Sequence, residues 1–270
     1  MDHAAVLARI VQWAERDDNV RAVVVTGSVA RGAVDALSDI DVELYVQRPE
    51  ALLESTEWYE AFGEVLVVEA LPNPWWHPTR LVHYVGGKVD FMIGSRRDLA
   101  GARYVRPFEV VVDKDGATGH LVRSEKEPRT PPSPGEFSEC VHWFYAECLM
   151  EAKCLSRGEL WMAKNRDAEA KALLLRMIEW DHRSRHGWAY DTWYLGTHWR
   201  QWMDADVVAA LGRCWGRLDA PDSSAALVHT VELFGRLSVR TAALLELGSF
   251  DHQKVGDEVR RILVARGAGP

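Results

Sequence analysis

The stretch Gly27-Ser28-Val29-Ala30-Arg31-Gly32, followed shortly by Ser38-Asp39-Ile40-Asp41, decides the fold of this chain. It comes directly after Val20 to Thr26, an apolar and β-branched run that is typical of a short buried strand. A turn of small residues that ends a strand is a place where backbone N–H groups can face a phosphate. Asp39 and Asp41 are two residues apart on a second predicted strand, so their carboxylates point to one face. The pattern therefore predicts a triphosphate cradle beside a paired-acid metal site, and with it nucleotide transfer.

A third carboxylate is expected from a neighbouring strand, and Asp90 is the candidate. It lies among apolar residues of the predicted strand Val89 to Ile93, where an acid is costly unless it is paired or functional. Mg²⁺ prefers carboxylate oxygens and a substrate's phosphates as ligands, and two such ions can stabilise the attacking and leaving oxygens of a displacement. Taken singly, Asp39 and Asp41 also fit a solvated turn, and Asp90 also fits a salt bridge. Their order along the chain favours one metal site made by all three.

Other phosphate-binding and catalytic motifs are excluded by the residues present. Gly27 to Gly32 has the spacing of a P-loop, but Ala33-Val34 stands where that loop needs Lys and Ser or Thr. No GxGxxG follows a predicted strand, which argues against a dinucleotide-binding domain. The sequence also contains no Gly-x-Ser-x-Gly elbow of the kind that hydrolases use.

The composition excludes some classes of protein. The 270 residues are 47% hydrophobic and 27% charged, which is ordinary for a globular protein with a sizeable core. The formal net charge of −8 argues against a nucleic-acid partner, because phosphate contacts need clustered Lys and Arg. An acidic surface suits a cationic small substrate, and it is equally a common means of staying soluble.

Cysteine usage and the N-terminal sequence predict a cytoplasmic protein. The four cysteines form no CxxC pair and no Cys/His zinc spacing, so buried, reduced thiols are expected. Met1 to Arg16 has a helical apolar period rather than the pattern of a signal peptide. No apolar run approaches the roughly 20 residues of a membrane span, so no membrane partner is expected.

The chain is expected to change character at a proline-rich segment. Residues 1–123 alternate short strands and helices, residues 124–135 form a linker, and residues 136–270 show only helical periods. The Gly86-Gly87 pair between two strand runs predicts a hairpin. The predicted fold is α+β: an N-terminal domain with a mixed sheet and helices, followed by a C-terminal helical bundle.

The individual elements follow from periodicity and from β-branched content. Strands are predicted at Val20–Thr26, Ile40–Val46, Val65–Ala70, Leu81–Val85, Val89–Ile93 and Val110–Asp113. Helices are predicted at Ala4–Ala14, Glu50–Phe62, Phe137–Leu155, Ala168–Trp180, Asp204–Trp215, Ala225–Leu247 and Asp251–Ala265.

The Gly27-Ser28 turn, the Asp39-Ile40-Asp41 strand and the later acid Asp90 resemble the motif of the nucleotidyltransferase superfamily that includes DNA polymerase β. The second half of the chain extends this resemblance to the aminoglycoside (streptomycin) 6-adenylyltransferases. The segments that carry it are Ala152-Lys153-Cys154-Leu155, Leu173-Leu174-Leu175-Arg176-Met177-Ile178-Glu179-Trp180 and, more loosely, Gly187 with Tyr194-Leu195-Gly196. Two shorter segments look more like lincosamide nucleotidyltransferases: Ser156-Arg157-Gly158-Glu159 and Arg217-Leu218-Asp219.

The resemblance implies a role for each motif residue. Gly27 and Ser28 would hold the triphosphate of ATP, and Asp39 and Asp41 would bind Mg²⁺. Asp90 would bind the nucleophile-side metal, remove the proton from the acceptor hydroxyl, or do both. A pKa raised by burial among carboxylates would suit a base, but bound metal would lower it again.

Three further residues are candidate nucleotide contacts, and each has a plainer alternative. Lys153 matches a helical-domain lysine that reaches the terminal phosphates, and it also fits a solvated helix lysine. Arg31 is placed where it can touch phosphate, or where it can form a surface salt bridge. Ser38 can contact phosphate or cap its own turn, and capping is slightly favoured.

The acceptor pocket is less defined by the sequence. Trp75-Trp76-His77 in a proline-flanked loop fits a sugar-stacking surface, and it equally fits a loop tucked against the rest of the protein. Glu147 and Glu151, four residues apart on one helix face, can hold a cationic acceptor or be two solvated glutamates.

The function that the resemblance implies is transfer of AMP from ATP to a hydroxyl of a small antibiotic, an aminoglycoside, in a cleft between the two domains. Lincosamide nucleotidylation is the nearest alternative. A non-catalytic, nucleotide-binding regulatory protein would have no physical need for all three acids, and the acidic chain argues against an RNA acceptor. A monomer or a homodimer is expected.

Overall fold

The structure is a computed structural model that describes residues 2–73, 77–125 and 129–265. The chain divides into two compact units, residues 1–126 and residues 127–270. The first unit contains a mixed sheet with short helices, and the second is helical, so the predicted α+β fold is confirmed. No helix within the described ranges is long and apolar enough to cross a lipid bilayer.

The strands of the first unit agree closely with the predicted ones. They are β1 (Val20–Val25), β2 (Ile40–Val46), β3 (Val65–Leu71), β4 (Thr79–Tyr84), β5 (Gly87–Ser95) and β6 (Glu109–Asp113). They form one sheet in the order β3-β4-β5-β2-β1-β6, in which β2 and β5 are parallel and the other neighbours are antiparallel. The predicted hairpin joins β4 to β5, and Gly86 at its turn has φ +90°, a conformation that glycine adopts without strain.

Alternation along the strands gives this sheet two different faces. On one face, α1 (His3–Arg16) buries Val6, Ile10 and Ala14 in a core that includes Val23 and Phe91. The side chain of Asp2 caps the start of α1 by accepting a hydrogen bond from the Ala5 N–H. The opposite face has a smaller apolar cluster made by Ala22, Val24, Tyr45, Met92, Leu99 and Tyr104. That second face is the one to which the odd-numbered positions of β2 point, and it carries the acids.

The other helices of the first unit are short. They are α2 (Gly27–Ala30), α3 (Pro49–Glu54), α4 (Glu57–Glu60) and a 3₁₀ turn at Asp98–Gly101. The single helix predicted at Glu50–Phe62 is therefore wrong, because the chain is extended at Ser55 between α3 and α4. The break lets Trp58 bury its ring and donate its indole N–H to the Leu52 carbonyl at 2.9 Å. Burial of a large aromatic side chain outweighs the helical preference of the segment.

The second unit is built on long helices. They are α5 (Pro134–Ser156), α6 (Leu160–His186), α7 (Trp199–Trp202), α8 (Ala205–Leu211), α9 (Ala220–Leu244) and α10 (His252–Val264). α5 begins inside the expected linker, where Ser133 and Glu136 form a reciprocal capping box and Pro134 takes a first-turn position. The apolar faces of these helices meet in one core, which includes Phe144, Leu155, Met177 and Phe234. The four cysteines are buried and free.

α6 is much longer than the predicted helix at Ala168–Trp180. Ion pairs between residues four apart extend it beyond the apolar stripe, as with Asp167–Lys171 and Asp181–Arg185. Such pairs stabilise a helix without adding to its apolar period, so periodicity alone underestimates its length.

Candidate active site

The three acids are brought to one face of the sheet by the pairing of β2 with β5. Asp41 on β2 lies directly opposite Asp90 on β5 in the parallel register. Asp39 precedes Asp41 by two residues, just before β2 begins, and the period of a strand therefore turns both carboxylates to the same side. The structure thus brings together the three acids that the sequence predicts for the site.

The predicted Gly27-Ser28 turn lies against Asp41. Gly27 follows β1 and has φ +64°, and a Cβ atom built on it would be 1.7 Å from Oδ2 of Asp41. The Thr26 N–H donates to the Asp41 carbonyl at 3.0 Å, and the Ser28 hydroxyl donates to the Asp39 carbonyl at 3.3 Å. Only glycine fits at position 27, because both its backbone angle and its distance from Asp41 exclude a side chain.

Lys88 was not predicted from the sequence, and it is the cation that pairs with Asp39 and Asp90. Its Nζ lies 2.9 Å from Oδ2 of Asp39 and 3.1 Å from each carboxylate oxygen of Asp90. Lys88 and Asp90 are two residues apart on β5 and share a face. That spacing is the signal by which Lys88 could have been found.

Burial and like charge shape the protonation of these groups. Burial, assisted by the neighbouring carboxylates of Asp90 and Asp39, raises the pKa of Asp41 to about 6. Burial also raises the pKa of Asp90, and the ammonium of Lys88 offsets only part of that effect. Desolvation lowers the pKa of Lys88, but its contacts with Asp39 and Asp90 outweigh this and raise it. The site therefore has an excess of negative charge, which a further cation would neutralise.

The residues present fit a divalent cation. Three carboxylates are the hard oxygen ligands that Mg²⁺ prefers, and among the described residues the buried Oδ1 of Asp90 makes no hydrogen bond and only an ion pair with Lys88. In the part of the chain that the structure describes, the carboxylate oxygens of the three acids are not all within 4.8 Å of one another. Within the described ranges, the His, Cys, Asp or Glu group whose ligand atoms all lie within 4.8 Å of one another is a different one, at His182, His186 and Asp204. A two-ion site, with ions about 3.5–4 Å apart, needs such a wider spread of carboxylates.

The other predicted nucleotide contacts lie in different surroundings. Arg31, exposed at the end of α2, is close enough to lower the pKa of Asp41 slightly against the larger effect of burial. The Ser38 hydroxyl donates to Oδ1 of Asp35 at 3.1 Å and accepts from the Asp35 N–H at 2.9 Å. Ser38 therefore closes its own turn. Lys153 is exposed on α5, near enough to Glu258 on α10 to interact with it electrostatically.

The structure describes only some of the residues that were considered for the acceptor pocket. Trp75-Trp76 lies outside the described residues, and His77 has its Nδ1 3.6 Å from Oδ2 of Asp98. Glu147 and Glu151 are buried on α5, so neither is a solvated glutamate. Glu147 pairs with Nη1 of Arg166 at 3.1 Å. Burial raises the pKa of Glu151 to about 8.

Glu43 is the next residue on the acidic face of β2, and tyrosines satisfy it. Its Oε2 accepts hydrogen bonds from the hydroxyls of Tyr104 at 2.5 Å and Tyr45 at 3.0 Å. Burial raises the pKa of Glu43. Because two hydroxyl donors already bind this carboxylate, we expect Glu43 to flank the carboxylate site and not to be a metal ligand.

We expect replacement of Lys88 by Met to tighten the binding of Mn²⁺ to the nucleotide-free protein. Lys88 neutralises Asp39 and Asp90, so a metal ion must compete with its ammonium. A partly buried ion pair of about 1 kcal/mol corresponds to a change of about fivefold to tenfold in the metal Kd. Electron paramagnetic resonance of free Mn²⁺ measures this change. Lys88→Arg retains the cation and is the matched control, and equal or weaker binding by Lys88→Met would remove Lys88 from the site.

A Gly-Ser turn, an Asp-x-Asp strand and a third acid on the adjacent strand of a mixed sheet define a class of enzyme, the nucleotidyltransferases. A family model described as streptomycin adenylyltransferase matches residues 2–259. The chain belongs to the streptomycin adenylyltransferase family. A solved structure described as an aminoglycoside 6-adenyltransferase from Bacillus subtilis is similar to 96% of this chain over 96% of its own, with 18% identity and a TM-score of 0.48. The comparison with curated proteins gave no match.

Proposed function

We propose that this nucleotidyltransferase transfers AMP from ATP to a hydroxyl of an aminoglycoside, with Mg²⁺ held by Asp39, Asp41 and Asp90. Membership of the streptomycin adenylyltransferase family supports the reaction and the substrate class. The observation that carries the assignment of the site is the register of β2 and β5, which sets Asp41 opposite Asp90 on one face. A regulatory protein that only bound nucleotide would gain nothing from three carboxylates gathered on one face, where their like charges repel.

The proposed reaction forms one bond and breaks one at the α-phosphorus of ATP. The acceptor oxygen bonds to that phosphorus, the bond to the bridging oxygen of the β-phosphate breaks, and pyrophosphate leaves. Divalent metal bound by the acids would neutralise the charge of the phosphates and of the leaving group. Backbone N–H groups at Gly27 and Ser28 would hold the triphosphate, and Arg31 would add a positive charge beside it.

Asp90 is the proposed acceptor of the hydroxyl proton. Burial raises its pKa, which makes its carboxylate a stronger base than that of an exposed aspartate. Among the described residues its buried Oδ1 makes no hydrogen bond and has Nζ of Lys88 as an ion-pair partner at 3.1 Å, so a proton or a metal ion would compete there with the lysine. Asp41 and Asp39 would then serve the phosphates, since Asp41 touches the Gly27 turn that precedes α2.

The acceptor is proposed to be cationic. Aminoglycosides carry several protonated amines, and a protein with a net charge of −8 attracts such molecules over a range set by the ionic strength. A lincosamide has fewer charges and would gain less from this field. Measurement of the product distinguishes the two acceptors.

The direct test is a panel of aminoglycosides and lincosamides incubated with ATP and Mg²⁺. The proposal expects pyrophosphate release with at least one aminoglycoside, and a product heavier by one AMP in mass spectrometry. Product formed only with a lincosamide would replace the acceptor class while keeping the reaction. Pyrophosphate release with no acceptor, or none with any acceptor, would overturn the proposal.

Lys153→Ala is expected to raise the KM for ATP by about tenfold with a smaller effect on kcat, because the family resemblance implies that this lysine contacts the terminal phosphates. A charge-assisted hydrogen bond to phosphate contributes about 1.5–3 kcal/mol, and each 1.4 kcal/mol is a factor of ten. Steady-state kinetics with varied ATP measures the effect. Lys254→Ala, which removes an exposed lysine of α10, is the control. An unchanged KM would exclude Lys153 from the nucleotide site.

A further inference from the structure

A second group of metal-ligating side chains lies wholly within the helical unit. His182 and His186 are four residues apart on the last turns of α6 and therefore share one helix face. Asp204 lies just before α8. Nδ1 of His182 is 3.3 Å from Oδ2 of Asp204, and Nε2 of His186 is 3.3 Å from Oδ1 of the same residue. None of these residues belongs to the carboxylate site on the sheet.

Each histidine lies from one oxygen of Asp204 at about the edge length of a tetrahedral metal site. Zn²⁺ binds imidazole nitrogen and carboxylate oxygen at about 2.0–2.2 Å, so two of its ligands lie about 3.3–3.6 Å apart. The ligand atoms of all three residues lie within 4.8 Å of one another. The donor set of two imidazoles and one carboxylate suits Zn²⁺ rather than Mg²⁺, which prefers oxygen.

The carboxylate of Asp204 is directed to the two histidines rather than to the start of its own helix. Asp204 is the N-cap residue of α8, yet its carboxylate makes no capping hydrogen bond and turns to the two imidazoles instead. The ring of His182 packs edge-to-face against Tyr190 and Trp202, with centroids 4.6 and 5.5 Å away. A ring held in this way keeps its Nδ1 aimed at Asp204.

Arg185 is the competitor for this site. Its Nη2 bonds to Asp204, and it also donates to Oδ2 of Asp181 at 2.7 Å. Asp181 in turn accepts two hydrogen bonds of 2.6 Å from Arg240. Arg185 can therefore release Asp204 and remain paired with Asp181, so the site can open for a cation at the cost of one charged hydrogen bond.

We propose that His182, His186 and Asp204 form a site for Zn²⁺, with water as the fourth ligand, that joins the end of α6 to the start of α8. The chain between them contains the left-handed residues Trp193, Leu195 and His198, a conformation that costs free energy in each of them. An ion that fixes both ends of this segment stabilises the folded unit, because the unfolded chain lacks the preformed site.

The test uses the full chain, freed of metal by a chelator and kept in millimolar Mg²⁺ so that the carboxylate site is occupied. Zn²⁺ is titrated against a chromophoric competitor, and thermal unfolding is followed with and without Zn²⁺. The expected result is one Zn²⁺ per chain and a higher Tm with Zn²⁺. His186→Gln should weaken binding at least about 100-fold, since even outer-shell partners change affinity by 10–100-fold.

Two further variants test the Zn²⁺ site even where a histidine variant folds poorly. Arg185→Gln removes the competing cation and is expected to tighten Zn²⁺ binding, whereas a purely ion-paired network would gain no metal affinity from it. His229→Ala removes a histidine of α9 outside the group and should leave binding unchanged. An absence of Zn²⁺ binding in the wild type, or equal binding by His186→Gln, would overturn the proposal.

Discussion

Asp41→Asn is expected to lose turnover by about 10³-fold or more while its metal-free form is at least as stable as the wild type. A metal ligand supplies several kcal/mol of transition-state stabilisation, and each 1.36 kcal/mol is a factor of ten in rate. The carboxylate of Asp41 is half-buried beside Asp90 and Asp39, and its charge raises the free energy of the folded state. The substitution removes that charge. Asparagine keeps the shape of the side chain against Gly27, so the fold should be preserved.

The stability of this variant should also depend on pH in a different way. The pKa of Asp41 is raised from 3.8 to about 6 in the folded protein, so the folded state holds this proton more tightly than the unfolded state does. The metal-free wild type therefore loses stability as the pH rises from about 4 to about 6, by on the order of 2 kcal/mol from this group. The stability of Asp41→Asn should not show this part of the dependence on pH.

Pyrophosphate release and urea unfolding at pH 4.5, 6 and 7.5 measure the two effects on the same preparations. Asp18→Asn, which removes an exposed acid from the loop before β1, is the control and should change neither. A variant at Asp41 with a rate near that of the wild type would show that the assignment of this residue to the metal is wrong. A large loss of stability at pH 7.5 would instead show that Asp41 is structural.

Gly27→Ala is expected to reduce kcat/KM by about 100-fold or more, whereas Gly32→Ala retains most of the activity. Both glycines have φ +64°, so either substitution costs about 1–2 kcal/mol for the left-handed backbone. A Cβ at Gly27 would lie 1.7 Å from Oδ2 of Asp41, while a Cβ at Gly32 would have no atom within 4 Å. The difference between the variants therefore isolates the contact with Asp41.

The size of the effect follows from the required displacement. For a tolerable separation of 3.0 Å, Asp41 or the turn must move by about 1.3 Å, the difference between 3.0 and 1.7 Å. A misplacement of about 1 Å at a reacting centre can cost about 100-fold in rate. Steady-state kinetics, paired with thermal unfolding of both variants, separates this from a general loss of fold. Equal activity of the two variants would mean that the Gly27 turn does not position Asp41.

The sequence predicted the individual residues of this site better than their arrangement in space. The β-branched runs located β1, β2 and β5, and the i, i+2 spacing placed Asp39 and Asp41 on one face. Nothing local in the sequence shows that β2 and β5 are parallel neighbours, because their pairing spans some 50 residues and depends on the whole sheet. The spatial relation of Asp90 to Asp41 was inferred from the order of motifs and from family resemblance.

The roles of Lys88 and Ser55 depend on tertiary contacts that the local sequence does not show. Lys88 is two residues from Asp90 on the same strand and therefore shares its face. A lysine beside a hairpin is ordinarily solvated, and only the structure shows that Lys88 pairs with Asp39 and Asp90. Ser55 interrupts a helix-like pattern because Trp58 finds its place in the core. Such a tertiary contact overrides local propensity.

Asp39, Asp41 and Asp90 are proposed to bind the divalent metal that AMP transfer requires. The most direct test is Mn²⁺ binding, by electron paramagnetic resonance, in the presence of an ATP analogue that cannot be cleaved between its α- and β-phosphates. The expected result is binding to the wild type that Asp41→Asn and Asp90→Asn each weaken by about 100-fold, and that Asp18→Asn leaves unchanged. Equal Mn²⁺ binding by the wild type and both acid variants would contradict the account.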